Sequence, residues 1–165
     1  MDREFDIKYV VVAFNKPGMP TFYPLDVEDT MGYFVSKAFI VTDEIKLDRE
    51  GNEYHIYDVV LPYGDLRGKM NTPEFNKFGN LINGVRIYEV YESLEEAEAV
   101  RDKLNIELRN KKVLCAYEKY AGTRIRRKKI EEASSEFDYY LNECEEYEMA
   151  LHSLTSNLTN KTLAQ

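Results

Sequence analysis

Between Ile130 and Leu158 the apolar residues Ile130, Ala133, Phe137, Tyr140, Cys144, Tyr147, Leu151, Leu154 and Leu158 follow one another at spacings of 3, 4, 3, 4, 3, 4, 3 and 4. Only an α-helix puts residues so spaced on one side, and no Pro or Gly occurs after Gly122. A helix over residues 123–158 extends about 54 Å, whereas a ~100-residue domain has a radius of gyration near 13 Å. So long a stripe exceeds what a small β module is expected to cover. The pattern therefore predicts a helical hairpin or coiled coil that a second copy of the chain completes. Ile130, Phe137, Tyr140, Cys144, Tyr147, Leu151 and Leu154 are the expected oligomer contacts. The competing arrangement is a helix folded over its own sheet.

A second helix precedes this one. Ser93-Leu94-Glu95-Glu96 has the spacing of a capping box, and the following residues run to about Tyr120 with Ala97, Val100, Leu104, Leu108 and Cys115 near one face. Gly122 marks the bend between the two helices. Cys115 and Cys144, the only cysteines, both read as buried free thiols of a reducing, cytoplasmic environment.

The first ninety-odd residues read as β structure. Ile7 to Phe14 is β-branched and aromatic, as expected of a strand buried on both faces. Gly32 to Leu47 and Glu53 to Leu61 flank Asp48-Arg49-Glu50-Gly51-Asn52, a hairpin turn in which Gly51 supplies the left-handed residue. Val85 to Tyr91 alternates as a further strand, and Thr21 to Tyr23 fits a short edge strand. Four Gly and four Asn fall within residues 63–84, a loop composition with Thr72 able to cap one helical turn at 73–78. The expected fold is α+β: a small antiparallel sheet or SH3-like barrel in residues 1–92, then a helical oligomerisation region in 93–165.

Charge narrows the function. The net charge is −8, the opposite of what a nonspecific nucleic-acid binder needs. Residues 111–130 nevertheless hold eight positive charges against one negative, and residues 131–148 hold eight negative charges and no positive ones. Arg124, Arg126, Arg127, Lys128 and Lys129 are thus either an anion or nucleic-acid contact or a device setting the register of antiparallel helices, and the second reading is favoured.

Catalytic patterns are sparse. Two His and two Cys lie far apart without zinc spacing, no Gly-x-Ser-x-Gly elbow occurs, and no Gly-rich phosphate loop suggests a cofactor. Asp26, Glu44 and Lys46 loosely match the acids and lysine of a magnesium-dependent nuclease, a degenerate pattern in a chain so charged. His55 reads as a packed or edge residue, and His152 as exposed. The longest apolar run near the N-terminus, Tyr9 to Phe14, is too short for a secretory or membrane segment.

Recognition remains. Tyrosines are frequent in residues 1–92, and the 63–84 loop offers Tyr63, Asp65, Phe75, Phe78 and Asn80 as partner contacts. The run Ile87-Tyr88-Glu89-Val90-Tyr91-Glu92-Ser93-Leu94-Glu95-Glu96-Ala97, a strand entering a Ser-capped helix, resembles a join in small phage and Gram-positive bacterial proteins. That resemblance implies a phage or mobile-element accessory protein. The expected function is non-enzymatic: an acidic β module that binds a protein partner and inhibits or sequesters it.

Overall fold

A computed structural model describes residues 6–16, 26–61, 84–87 and 89–156 of the 165-residue chain. Its elements are β1 (Asp6–Asn15), β2 (Thr30–Leu47), β3 (Glu53–Val60), β4 (Gly84–Ile87), α1 (Leu94–Lys119) and α2 (Arg126–Leu154). The strands form one antiparallel sheet in the order β1-β2-β3-β4. The α+β class stands, but the sheet is open where a closed SH3-like barrel was one expectation. A single bridge, with both amides of Tyr9 and Tyr91 donating to the opposite carbonyl at 2.9 and 2.8 Å, ties the segment before α1 to β1. The expected strand at 21–23 and the 63–84 loop with its helical turn lie outside the described residues.

β2 is the spine. Its 18 residues pair with β1 from Thr30 to Ile40 and with β3 from Phe39 to Leu47. The register shifts between Ile40 and Thr42, which leaves Val41 as the extra residue where the strand changes partner. Both faces of its first half are buried, as Phe34 and Val35 at 0% exposure show. The β2–β3 turn forms as its residues dictate. Gly51 has φ +85°, and the Asp48 carboxylate accepts from the Glu50 and Asn52 amides at 2.9 Å each.

The helices form where their signals lie. Ser93 Oγ accepts the Glu96 amide at 3.2 Å, and Gly122 turns the chain with φ +78°. Arg109 reaches Asp138 at 3.3 Å and Arg101 meets Glu148, pairings that make α1 and α2 antiparallel. The heptad stripe, however, does not wait for a second copy. Cys144, Tyr147 and Leu151 enter one core cluster with Val10, Val12, Phe14, Phe34 and Ala38 of the sheet, and Phe137 is also buried. Tyr147 stacks nearly parallel to Phe34 at 6.0 Å and meets Phe14 edge-on at 5.0 Å. Ile130 and Tyr140 are partly covered, and the Leu154 side chain lies outside the described atoms.

The correction has a geometric cause. A helix rises about 1.5 Å per residue and a strand about 3.3 Å, so the fourteen positions from Phe137 to Leu151 need only about six or seven strand residues beneath them. A ten-residue β1 paired with β2 is a floor long enough for that. The 3-4 spacing here marks a helix on a sheet instead of a coiled-coil seam.

One edge of β2 lacks a strand. β3 joins it only from Phe39 onward, so the backbone near Tyr33 and Val35 has no strand beyond it among the described residues. Side chains from both helices take that place. Asn105 of α1 accepts the Tyr33 amide at 2.8 Å and donates to the Tyr33 carbonyl at 3.3 Å. The Cys144 thiol donates to the same carbonyl at 3.4 Å, and Glu148 of α2 accepts the Val35 amide at 2.7 Å. The other oxygen of Glu148 meets Arg101, which also binds Asp102 at 2.9 Å. Burial pushes the Glu148 carboxyl above the ordinary carboxylate range, with the Val35 amide and Arg101 opposing.

Replacing Asn105 with Ala leaves the Tyr33 amide without its acceptor and the Tyr33 carbonyl with only the Cys144 thiol, and is expected to cost about 1–2 kcal/mol. Glu148→Ala takes the acceptor from the Val35 amide and leaves Arg101 to its pairs with Asp102 and Glu98, for about 2–3 kcal/mol, and Glu148→Gln costs markedly less. Urea unfolding at neutral pH measures all three. A carboxyl with a raised folded-state pKa stabilises most below its unfolded value of about 4.3 and loses that contribution as pH rises through the folded value. Wild type should therefore gain most on Glu148→Gln near pH 4 and progressively less toward neutrality, which unfolding curves across that range will show.

Candidate functional site

β4 stops pairing with β3 at Tyr57, opposite Asp43, and from Glu44 onward the sheet narrows to a two-stranded ribbon of β2 and β3. Every residue from Val41 to Tyr54 is exposed, so no helix or further strand covers this arm with described residues. The register places Ile45 opposite His55, Leu47 opposite Glu53 and Asp43 opposite Tyr57. Asp43, Ile45 and Leu47 therefore share one face with His55 and Tyr57. On that face Ile45 is 59% exposed and Leu47 65%, although both are residues that cores normally absorb.

The arm is held by its own cross-strand contacts, which matters because an isolated hairpin is marginal in water. His55 Nδ1 lies 2.8 Å from Asp43, and its ring stacks on Tyr57 at 5.6 Å between centroids. On the opposite face Thr42 donates to Asp58 at 2.9 Å, and Lys46 stands 3.8 Å from Glu44. Burial, then the Asp43 charge, push the Tyr57 hydroxyl above its ordinary range. Residues 41–58 carry six acids (Asp43, Glu44, Asp48, Glu50, Glu53, Asp58) against Lys46 and Arg49. An apolar strip framed by an aromatic pair and ringed by negative charge suits contact with a positively charged protein surface.

The residues singled out from the sequence are placed elsewhere or lie beyond description. Tyr63, Asp65, Phe75, Phe78 and Asn80 lie outside the described residues. The basic run sits at the turn between the helices, and much of it is engaged locally. The Arg126 guanidinium lies 4.0 Å over the Tyr117 ring, Arg127 is 3.7 Å from Glu131, and Lys129 is 3.3 Å from Glu132. Arg124 and Lys128 are exposed. Antiparallel packing brings Arg101 and Arg109 of α1 against acids of α2, whereas the 124–129 block folds beside the end of α1.

Asp26 stands just before β2, while Glu44 and Lys46 lie in its far half. Fourteen positions separate Thr30 from Glu44, about 45 Å at full strand rise, so these three residues do not converge. Among the described residues no group of three His, Cys, Asp or Glu side chains could hold a metal, and no helix is long and apolar enough to cross a membrane.

Two single-residue readings change. Cys144 is buried but Cys115 is exposed, because it lies at the rim of a cleft between the helices instead of on the face that meets the sheet. His152 is half-buried, its Nε2 enclosed without a hydrogen-bond partner, one turn beyond Glu148. Asn105 was missed outright. A polar residue between Leu104 and Leu108 was the available signal, and periodicity alone treats it as solvent-facing.

No protein-family model matches the chain, and comparison with curated proteins and with solved structures likewise gives no match.

Burial drives the Cys144 thiol far above its ordinary range, so it should resist thiol reagents in the native state. Ellman's reagent at neutral pH should titrate one thiol per folded chain and two in denaturant. Peptide mapping should place the first at Cys115, and rapid native modification of both would contradict the docking of α2.

Proposed function

We propose that this chain is a non-enzymatic binding protein whose acidic β2–β3 arm grips a basic surface of a protein partner and withholds that surface from nucleic acid. One observation carries the reading: Ile45 and Leu47 stand in solvent, at 59% and 65% exposure, within a ribbon whose acids outnumber its bases. A solvent-facing apolar pair costs solubility, so its retention on an ordered, acid-flanked arm is explained by an interface. The negative charge supplies attraction and orientation, and the apolar strip supplies the desolvated centre that resists dissociation. A partner whose own role is to hold phosphate has the complementary charge. The net −8 of the chain extends the same field beyond the arm. The sequestering role matches that of a small accessory protein that blocks a nucleic-acid-binding partner by charge resemblance.

The test is affinity capture from host lysate with three baits: wild type, the double variant Ile45→Ser/Leu47→Ser, and the charge variant Glu50→Lys/Glu53→Lys. Wild type should retain a basic nucleic-acid-binding protein that DNA competes away. The apolar variant should weaken the purified complex about 100-fold, chiefly in dissociation rate. The charge variant should slow association and flatten its salt dependence. Capture of the same partner at wild-type affinity by both variants would remove the arm from the interface.

A further inference from the structure

The buried Ala97, Asn105 and Leu108 mark the side of α1 that meets the sheet. On its outer side Ile106, Asn110, Val113 and Tyr117 follow at spacings of 4, 3 and 4. Arg127, Leu141, Glu145 and Met149 recur along the adjoining flank of α2. Apart from Arg127, these residues line two hollows between the helices. Ile106 is 63% exposed and Met149 70%, and Leu114 and Tyr117 stand about half in solvent. Apolar surface gathered along one seam marks a contact more often than scattered residues do.

Charge says what the contact is with. The Arg109–Asp138 pair divides the hairpin into halves of opposite sign. Residues 94–108 and 138–154, toward the open end, hold ten acids and two bases. Residues 109–137, around the turn, hold nine bases and four acids. The seam carries the same polarity. Glu145 stands one turn from Met149 at the acidic end. At the basic end the Arg126 guanidinium lies 4.0 Å over the Tyr117 ring, and Arg127, 3.7 Å from Glu131, is exposed. Two such hairpins laid with like ends together repel, whereas a copy turned end for end sets each acidic half over a basic one.

Size agrees. The 26 residues of α1 extend about 39 Å, and two packed helices are about 20 Å across, so the outer side of the hairpin spans about 800 Å². A standard specific interface covers about 800 Å² on each partner. We propose that a second copy of the chain covers this side, related by a two-fold axis perpendicular to the helices, with α1 antiparallel on α1 and α2 on α2. An axis level with Lys111 and Lys112 sets Ile106 of one copy against Tyr117 of the other, and Asn110 against Val113. Because Arg109 is level with Asp138, the same axis sets Glu145 against Arg127 of the other copy, twice by symmetry. The heptad stripe stays on its own sheet throughout. No residue of β2 past Tyr33 lines the seam, so both β2–β3 arms stay open and the inference does not depend on their role.

Sedimentation equilibrium on the full-length chain, from about 1 to 100 µM, tests the contact, since interfaces of this size bind in the micromolar range or tighter. Wild type should approach twice 19.3 kDa. Ile106→Lys/Met149→Lys, which puts ammonium groups into the seam, should raise the dissociation constant about 100-fold. Glu145→Arg and Arg127→Glu should each raise it about tenfold, because one change sets two like-charged pairs across the axis.

The exchange variant Glu145→Arg/Arg127→Glu should regain near-native affinity, and an equimolar mixture of the two single variants should form the heterodimer in preference to either homodimer. All four positions are exposed, and near-UV circular dichroism confirms that the variants are folded. A 19.3 kDa particle at every concentration would overturn the proposal and leave the face to another occupant. A dimer that survives Ile106→Lys/Met149→Lys would place the interface elsewhere. One indifferent to the single charge changes would overturn the end-for-end arrangement.

Discussion

A strand that changes partners midway leaves backbone bare on both sides, and the rest of this molecule follows from how that backbone is satisfied. β2 is 18 residues long, β1 is 10 and β3 is 8, so neither neighbour can accompany it along its whole length. Buried amides and carbonyls without partners cost as much as lost hydrogen bonds. At Tyr33 the solution is one Asn105 side chain, which offers an acceptor and a donor together and so imitates a neighbouring strand. At Val35 a carboxylate serves, and Arg101 in turn balances its charge. Helices joined to a sheet through such contacts cannot slide freely over it, because any shift abandons buried polar groups that water cannot reach.

That fixed docking accounts for the two surfaces of interest. Where the helices lie on the first half of β2, its side chains are buried on both faces and the aromatic cluster of Phe14, Phe34 and Tyr147 forms. Past Asp43, where β4 no longer flanks β3, the same strand continues with β3 alone as an exposed ribbon. With the inner sides of α1 and α2 taken up by the sheet, Ile106 and Met149 stay in solvent along the seam between the helices. Arm and seam therefore lie on different elements, and neither constrains the chemistry of the other.

The charge segregation along the chain takes on a different meaning once folded. Its acidic block lies on α2, where Glu148 and Asp138 answer arginines of α1, so part of it does structural work at the helix interface. Its basic block gathers around the turn and splits between cation–π contacts with Tyr117 and Tyr120, short-range pairs with Glu131 and Glu132, and the wall of the cleft. Across the helix pair, Arg101 meets Glu148 and Arg109 meets Asp138, two arginines that lie outside the basic run.

Much of the local structure was legible in the chain. The Asp48–Asn52 turn, the Ser93 cap, the Gly122 bend and the α+β class all follow from short-range rules, because capping, left-handed glycine and side-chain periodicity depend on neighbours within a few residues. What each face meets is a different matter. A 3-4 stripe states that Phe137, Cys144, Tyr147 and Leu151 point the same way, and it is equally satisfied by a second helix or by a sheet. The tertiary structure decided for the sheet, since strands cover more than twice the length per residue that a helix does. It also made Asn105 indispensable, exposed Cys115 and left Ile45 and Leu47 bare, because each outcome depends on where distant segments end, which no local pattern records.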